Sequence, residues 1–394
     1  MRPLADPKRP DVVIGPPRVR PTWAEVDPAA LAANVRVVAD HVGGARRILA
    51  VVKADAYGHG AAYAARAFVE AGVFGLAVSL VEEGIELRAA GIAAPVVVLG
   101  GVPAGAEDAV VATGLRPVVW TADHVERLAA AVARHGAGRV RVHVKLDTGM
   151  ARLGVRPEDL SALLERLRAA RHAVVVEGLM THFARAGEPG GDAETRRQLT
   201  ALLAAVPRVV EALGAPEPPL LHAANSAALA RFPWTHLDLV RPGIALYGAA
   251  PSRSTRLSGL RPALSFHSRV LDVRALPAGA RVGYGGRGVL RRPSRLGVVP
   301  VGYADGFPRA VGGAACVLVR GRRCPLVGEV SMDIAMVDLT DVPEAGPGDL
   351  VTLLGRQGDA QVDVFEFADR SGLLPYEVTC GISKRVPRRE AGGA

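Results

Sequence analysis

Lysine is scarce in this 394-residue chain: Lys8, Lys53, Lys145 and Lys384 stand against a large excess of arginine. Where charge alone is wanted, the sequence uses arginine. Lys53 ends the apolar run Ile48-Leu49-Ala50-Val51-Val52, which reads as a strand buried on both faces. A cation is costly to bury there. A lysine in that place points to chemistry a guanidinium cannot do, such as Schiff-base formation with an aldehyde; the plainer reading is a lysine snorkelling at a strand end. Other unusual polar residues also close apolar runs: Asp147, Thr148 and Arg152, then Thr181-His182, Asn225-Ser226 and Arg241. Singly, each has an ordinary explanation: a hydrogen-bonded core histidine, a surface ion pair, a helix cap. Their shared position carries more weight.

The elements that must hold them alternate. Thr22–Asp27 reads as a short strand, and Asp27-Pro28 as an N-cap followed by proline at the first helical position. Strands are expected at Arg47–Lys53, Val73–Ser79, Pro95–Gly100, Arg116–Trp120, Val140–Leu146, Val174–Thr181, Leu220–His222 and Leu237–Arg241. Helical patterns separate them, at Ala61–Ala71, Leu80–Ala90, Ala104–Val111, Thr121–His135, Pro157–Ala170, Ala193–Leu213 and Ser226–Arg231. Eight strands linked through helices predict a (β/α)8 TIM-type barrel, with a doubly wound open sheet as the alternative. No G-x-G-x-x-G follows the first strand, which weakens a dinucleotide site. Near Pro251–Pro262 the pattern changes to successive strands, at His267–Leu276, Arg295–Gly302, Cys316–Arg320, Ile334–Asp338 and Leu350–Leu354, with one helix at Asp363–Gly372. The expected organisation is a disordered Pro/Arg-rich leader (1–21), a barrel (22–255) and a mostly β domain (256–390).

Composition removes several classes. No apolar run is long enough for a bilayer, and the leader lacks the apolar core of a secretory signal. Three cysteines, an odd number without metal-ligand spacing, fit a reducing cytoplasm, no disulfide framework and no metal site. Net charge is +9, but the arginines are scattered and aromatics are only 4%, which argues against nucleic acid.

In a barrel, catalytic groups belong at the C-terminal ends of the strands, and phosphate sites often follow strands 7 and 8. Ser226 and the Gly243-Ile244 turn fall there, where a helix start and a glycine bring N–H groups to an anion. A lysine at strand 1 facing a phosphate cradle at strands 7 and 8 suits a cofactor with an aldehyde and a phosphate: pyridoxal 5′-phosphate (PLP).

The stretch Val51-Val52-Lys53-Ala54-Asp55-Ala56-Tyr57-Gly58-His59-Gly60 resembles the PLP-lysine motif of bacterial alanine racemases. Further matches follow in family order: Lys145–Gly154, Thr181–Ala184, His222–Ser226, Arg241–Gly248, Gly283–Gly285, Gly302–Gly306, Ser331–Asp333 and Tyr376–Cys380. The resemblance spans about Thr22 to Pro387 and implies a homodimer with active sites shared across the interface. It implies that Lys53 binds PLP and, with Tyr284 from the partner's β domain, forms a pair of acid/base groups on opposite faces of the substrate. His182 and Arg241 match a chain beside that tyrosine, and Arg241 also matches the residue facing the cofactor's ring nitrogen. Tyr57, Asn225, Ser226, Gly243, Ile244 and Tyr376 match cofactor-binding positions, most of them at the phosphate. Arg152 matches the group holding the substrate carboxylate and the cofactor's phenolic oxygen. Met332 matches a backbone donor to that carboxylate, Tyr303 an entrance residue, and Lys145 a lysine that is carbamylated in many members. Ser331 departs from the commoner cysteine. The implied activity is interconversion of L- and D-alanine, supplying D-alanine for peptidoglycan. A broader amino-acid racemase, a single-barrel PLP carrier and a decarboxylase are the alternatives; the β domain with Tyr284 and Met332 argues against the carrier.

Overall fold

The computed structural model describes residues 19–136, 138–214 and 218–392. Most of the expected leader lies outside the described residues. Its last residues do not, and they are held in place: Arg20 makes two hydrogen bonds to the carboxylate of Asp305, at 2.7 and 2.6 Å. Asp305 is fully buried and needs a counter-charge, which Arg20 supplies.

Parallel strands β2 (Leu49–Val51), β3 (Gly75–Val78), β4 (Val96–Val98), β5 (Arg116–Val119), β6 (Val140–Lys145), β7 (Val174–Met180) and β8 (Leu220–His222) pair in sequential order. Val96, Val97 and Val98 are wholly buried, as in a sheet covered on both faces. The eighth expected strand, Leu237–Arg241, is not a regular strand. It makes single bridges, Ile48 with Val240 and His222 with Leu239. Backbone bonds from Leu49 N to Val240 O (2.9 Å) and Val51 N to Pro242 O (3.0 Å) complete the ring. The interruption has local causes. Leu237 has φ +45°, Asp238 turns its carboxylate back onto Leu221 N at 2.8 Å, and Pro242 lacks an N–H. The unbroken strand order excludes the doubly wound alternative, whose order reverses at a switch point.

β1 (Trp23–Val26) does not belong to the barrel that follows it. It pairs antiparallel with β9 (Leu264–Arg269) and parallel with β19 (Arg388–Glu390), inside the second domain's sheet. The segment His267–Leu276, expected as one strand, is two. β9 ends at Arg269, and β10 (Asp272–Leu276) pairs with β13 (Ser294–Val299) in a separate three-stranded sheet. A second helix, Pro375–Cys380, was not expected; it carries Tyr376. Asp27 caps the first helix as expected, accepting from Ala30 N at 2.9 Å. The two domains have separate apolar cores.

Candidate active site

A cavity of about 400 Å³ opens at the C-terminal ends of the barrel strands. It gathers Lys53, Tyr57, Lys145, Arg152, His182, Asn225, Ser226, Arg241, Gly243, Ile244 and Tyr376. Two lysines and two arginines line it, and no carboxylate does among the described residues. Such a lining selects anions. The remaining predicted residues lie elsewhere on the chain. Tyr284 and Met332 line a separate concavity on the β domain, and Tyr284, Met332 and Tyr303 are 76%, 52% and 45% exposed.

Lys53 is aimed by a short left-handed turn. Ala54, Asp55, Ala56 and Tyr57 all have φ between +52° and +54°. Non-glycine residues in that region cost roughly 1–2 kcal/mol each, so the turn must be held from outside. Glu83 does much of this. One carboxylate oxygen accepts from Ala54 N at 2.6 Å, and the other from Ser79 N and Leu80 N. Asp55 accepts from Ala61 N at 2.7 Å. The turn directs both Lys53 and Tyr57 into the cavity.

Three hydroxyls collect at one end. Burial pushes the Tyr57 phenol well above its usual range and Tyr376 to about 12, so both remain neutral donors. Ser226 Oγ accepts from Gly243 N at 3.0 Å and Ala245 N at 3.4 Å, which leaves its own proton free to donate. Asn225 caps the short helix behind it, accepting from Ala228 N. Gly243 is required sterically, because a Cβ there would lie 2.2 Å from the Tyr57 hydroxyl. Three neutral donors beside cationic walls suit a phosphate, and Lys53 supplies the amine; the residues fit PLP.

Arg241 is buried and donates to Thr181 O at 2.7 Å, Ala223 O at 3.0 Å and His222 Nδ1 at 2.9 Å, with His182 Nδ1 at 3.3 Å. Burial lowers it to about 9, so it remains a cation at neutral pH. A guanidinium only donates. His222 Nδ1 must therefore accept, which puts the proton of His222 on Nε2, facing His143 Nδ1 at 2.8 Å. His143 Nε2 then donates to Glu177, which Arg116 grips with two 2.9 Å bonds. Burial first, and then the nearby arginine charge, keeps His182 and His222 neutral. The sequence reading used none of His143, Glu177 and Glu83. Alternation along β6 puts His143 on the same face as Lys145 and could have flagged it; the other two become visible only through contacts between strands and turns.

Lys145 is lowered to about 8 by burial, then by Arg152 and Arg241, against the opposing effect of Asp147. Asp147 in turn shapes the loop before Arg152, accepting from Gly149, Met150 and Ala151 N at 3.0–3.1 Å.

The buried imidazoles predict a pH dependence of folding. Their folded pKa values lie below the free value of 6.5, and His59 lies at about 4. The unfolded chain then binds protons first, so stability is undiminished above about pH 6.5 and falls as the pH drops toward 4. His59 alone accounts for a loss of about 3 kcal/mol at full protonation. Thermal melts at pH 7.5 and 5 should show a lower midpoint at pH 5; equal midpoints would contradict neutral burial.

Among the described residues no cluster of histidine, cysteine, aspartate and glutamate is placed to hold a metal ion, and no helix is long and apolar enough to cross a membrane. The family model of the alanine racemase N-terminal domain matches residues 26–251, and that of the alanine racemase C-terminal domain matches residues 263–390. The alanine racemase of Symbiobacterium thermophilum is 44% identical over 378 residues, covering 95% of this chain and 98% of the relative. Among solved structures, the alanine racemase of Streptomyces lavendulae superposes with a TM-score of 0.89 at 36% identity, covering 95% of this chain and 98% of that one. That of Bartonella henselae, solved with covalently bound pyridoxal phosphate, gives 0.80 at 30% identity, covering 94% and 99%. Two matched domains and full-length likeness in sequence and structure make this chain a member of the alanine racemase family.

Proposed function

We propose that this enzyme interconverts L- and D-alanine, with PLP held in the barrel cavity and with Lys53 and Tyr284 as its two acid/base groups. The observation that carries the reading is a division. The cavity collects a hydroxyl cradle and four basic side chains, the Lys53 amine among them, whereas Tyr284 stands exposed on the β domain of the same chain. A second copy would bring its Tyr284 to the cavity mouth, so the working unit in this reading is a homodimer.

PLP, when bound, supplies the electron sink that acidifies the substrate's Cα proton. Lys53 would hold it covalently, with Tyr57, Ser226, Gly243, Ile244 and Tyr376 around its phosphate and Asn225 at the cap behind. Lys53 moves a proton on one face of Cα and Tyr284 on the other, as inversion requires. Arg241 would lie toward the cofactor's ring nitrogen and, as a group that only donates, would leave that nitrogen unprotonated. Arg152 presents a fork matched to the substrate carboxylate, and Met332 adds its backbone N–H. Tyr303 lines the entrance. Lys145, with its pKa near 8, has a substantial neutral fraction, as carbamate formation with carbon dioxide needs. The resulting anion would hold Arg152; carbon-13 NMR in labelled bicarbonate should show a carbamate resonance that Lys145→Met lacks. The D-alanine would serve peptidoglycan synthesis in the cytoplasm.

The deciding experiment is a chiral product assay with PLP and separate L-amino acids. D-alanine formed far faster than D-serine or D-lysine supports the reading. Comparable rates would indicate a broader racemase, and no D-product from PLP-loaded protein would sink it. Gly243→Ala should weaken PLP binding about ten- to a hundredfold by displacing the Tyr57 donor, with folding retained; fluorescence titration of the apoenzyme measures it. The shared site has its own test. Lys53→Ala and Tyr284→Phe chains, each at most about 1% active alone, should on mixing and reassociation recover about a quarter of the wild-type sites, because half the dimers are hybrids with one intact site.

A further inference from the structure

We propose that Glu329 is a positioning residue for Tyr284, acting through Arg287. The inference rests on the reading of Tyr284 as the second base. Tyr284 sits at the tip of a hairpin with only two paired positions on each strand, β11 (Arg281–Val282) and β12 (Gly288–Val289). Around it Gly283, Gly285 and Gly286 have φ of +74°, +65° and +58°. A turn of this composition has little backbone preference of its own. A proton-transfer group, by contrast, loses rate steeply when it is misplaced by an ångström. Something outside the turn has to fix it.

Glu329 is placed to do so. One carboxylate oxygen forms an ion pair with Arg287, immediately after the turn, with Nη1 at 2.8 Å. The other accepts from Arg309 Nε at 2.9 Å. The carboxylate is mostly covered, at 17% exposure, while Arg287 and Arg309 are 71% and 61% exposed. Glu329 also lies two residues before Ser331, whose carbonyl accepts from Tyr303 N at 3.1 Å; Met332 O accepts from Ala304 N at 3.1 Å. A single carboxylate therefore ties the Tyr284 turn to the segment that carries Met332 and, through that segment, to the turn that carries Tyr303. Ion pairs with exposed partners contribute little to stability, so the effect of this one is on position.

Glu329→Gln and Arg287→Met should each lower kcat about ten- to a hundredfold in both directions, with KM changed less than about threefold. The thermal midpoint of the PLP-loaded dimer should stay unchanged. In a Tyr284→Phe background, Glu329→Gln should cause no further loss, read as exchange of the alanine Cα proton with deuterated solvent by NMR. An unchanged kcat in Glu329→Gln, an equal further loss in the Tyr284→Phe background, or a fall in midpoint that parallels the lost activity would each overturn the proposal. A Tyr284→Phe enzyme that racemises at the wild-type rate would instead defeat the two-base reading on which it rests.

Discussion

Tyr284→Phe should bind PLP normally and racemise alanine about 10²- to 10⁴-fold more slowly, the usual contribution of one general acid/base group. The change removes one hydroxyl from a side chain that is 76% exposed on its own chain, so neither folding nor the barrel cavity should suffer. Visible absorbance of bound PLP, the thermal midpoint and dimer mass should match the wild type, while D-alanine formation collapses. A second signature follows from the geometry of two opposed groups. With Tyr284 gone, Lys53 still reaches one face of Cα, so one enantiomer should continue to exchange its Cα proton with solvent faster than it inverts. Loss of exchange for both enantiomers alike would mean that Tyr284 acts on something other than the proton.

Lys53→Ala should have a still larger effect, because it removes two functions at once. The covalent hold on the cofactor goes, and with it the other acid/base group, so activity should fall by more than about 10⁴-fold. PLP should remain only as a reversibly bound ligand in the hydroxyl cradle, with an altered visible spectrum and removable by dialysis. The cradle itself should survive: Tyr57 packs against the rings of Tyr247 and Tyr376 at 5.0 and 6.0 Å, and the absent Cβ of Gly243 leaves room for its hydroxyl, none of which depends on the lysine side chain. Added methylamine should restore a small part of the rate by replacing the missing amine. Retention of the wild-type spectrum after dialysis would show that another group holds the cofactor.

Much of the barrel was legible because burial writes itself locally. A strand covered on both faces must be apolar at successive positions, and Val96–Val98 is such a run. Helix caps were legible for the same local reason, as at Asp27 and Asn225. Polar side chains that interrupt apolar runs at strand ends stood out because burying them is costly without a use. That reasoning singled out Lys53, His182, Ser226 and Arg241, all of which line one cavity.

Pairing across long stretches of chain left no such mark. Alternation in Thr22–Asp27 announced a strand but not its sheet; its partners lie more than 200 residues away, at β9 and β19. The segment at Leu237–Arg241 looked like β8's neighbour, yet a positive φ at Leu237 and the missing N–H of Pro242 reduce it to single bridges. The left-handed turn at Ala54–Tyr57 runs against the local preference of its own residues and exists because Glu83 and Asp55 hold it. The line from Arg241 through His222 and His143 to Glu177 joins three strands, so no window of sequence contains it. Residue type and local periodicity thus determined which groups could do chemistry and which end of a barrel would carry them. Tertiary structure alone decided their protonation, their aim, and the separation of Tyr284 from the cavity, because each depends on burial and on partners distant in the chain.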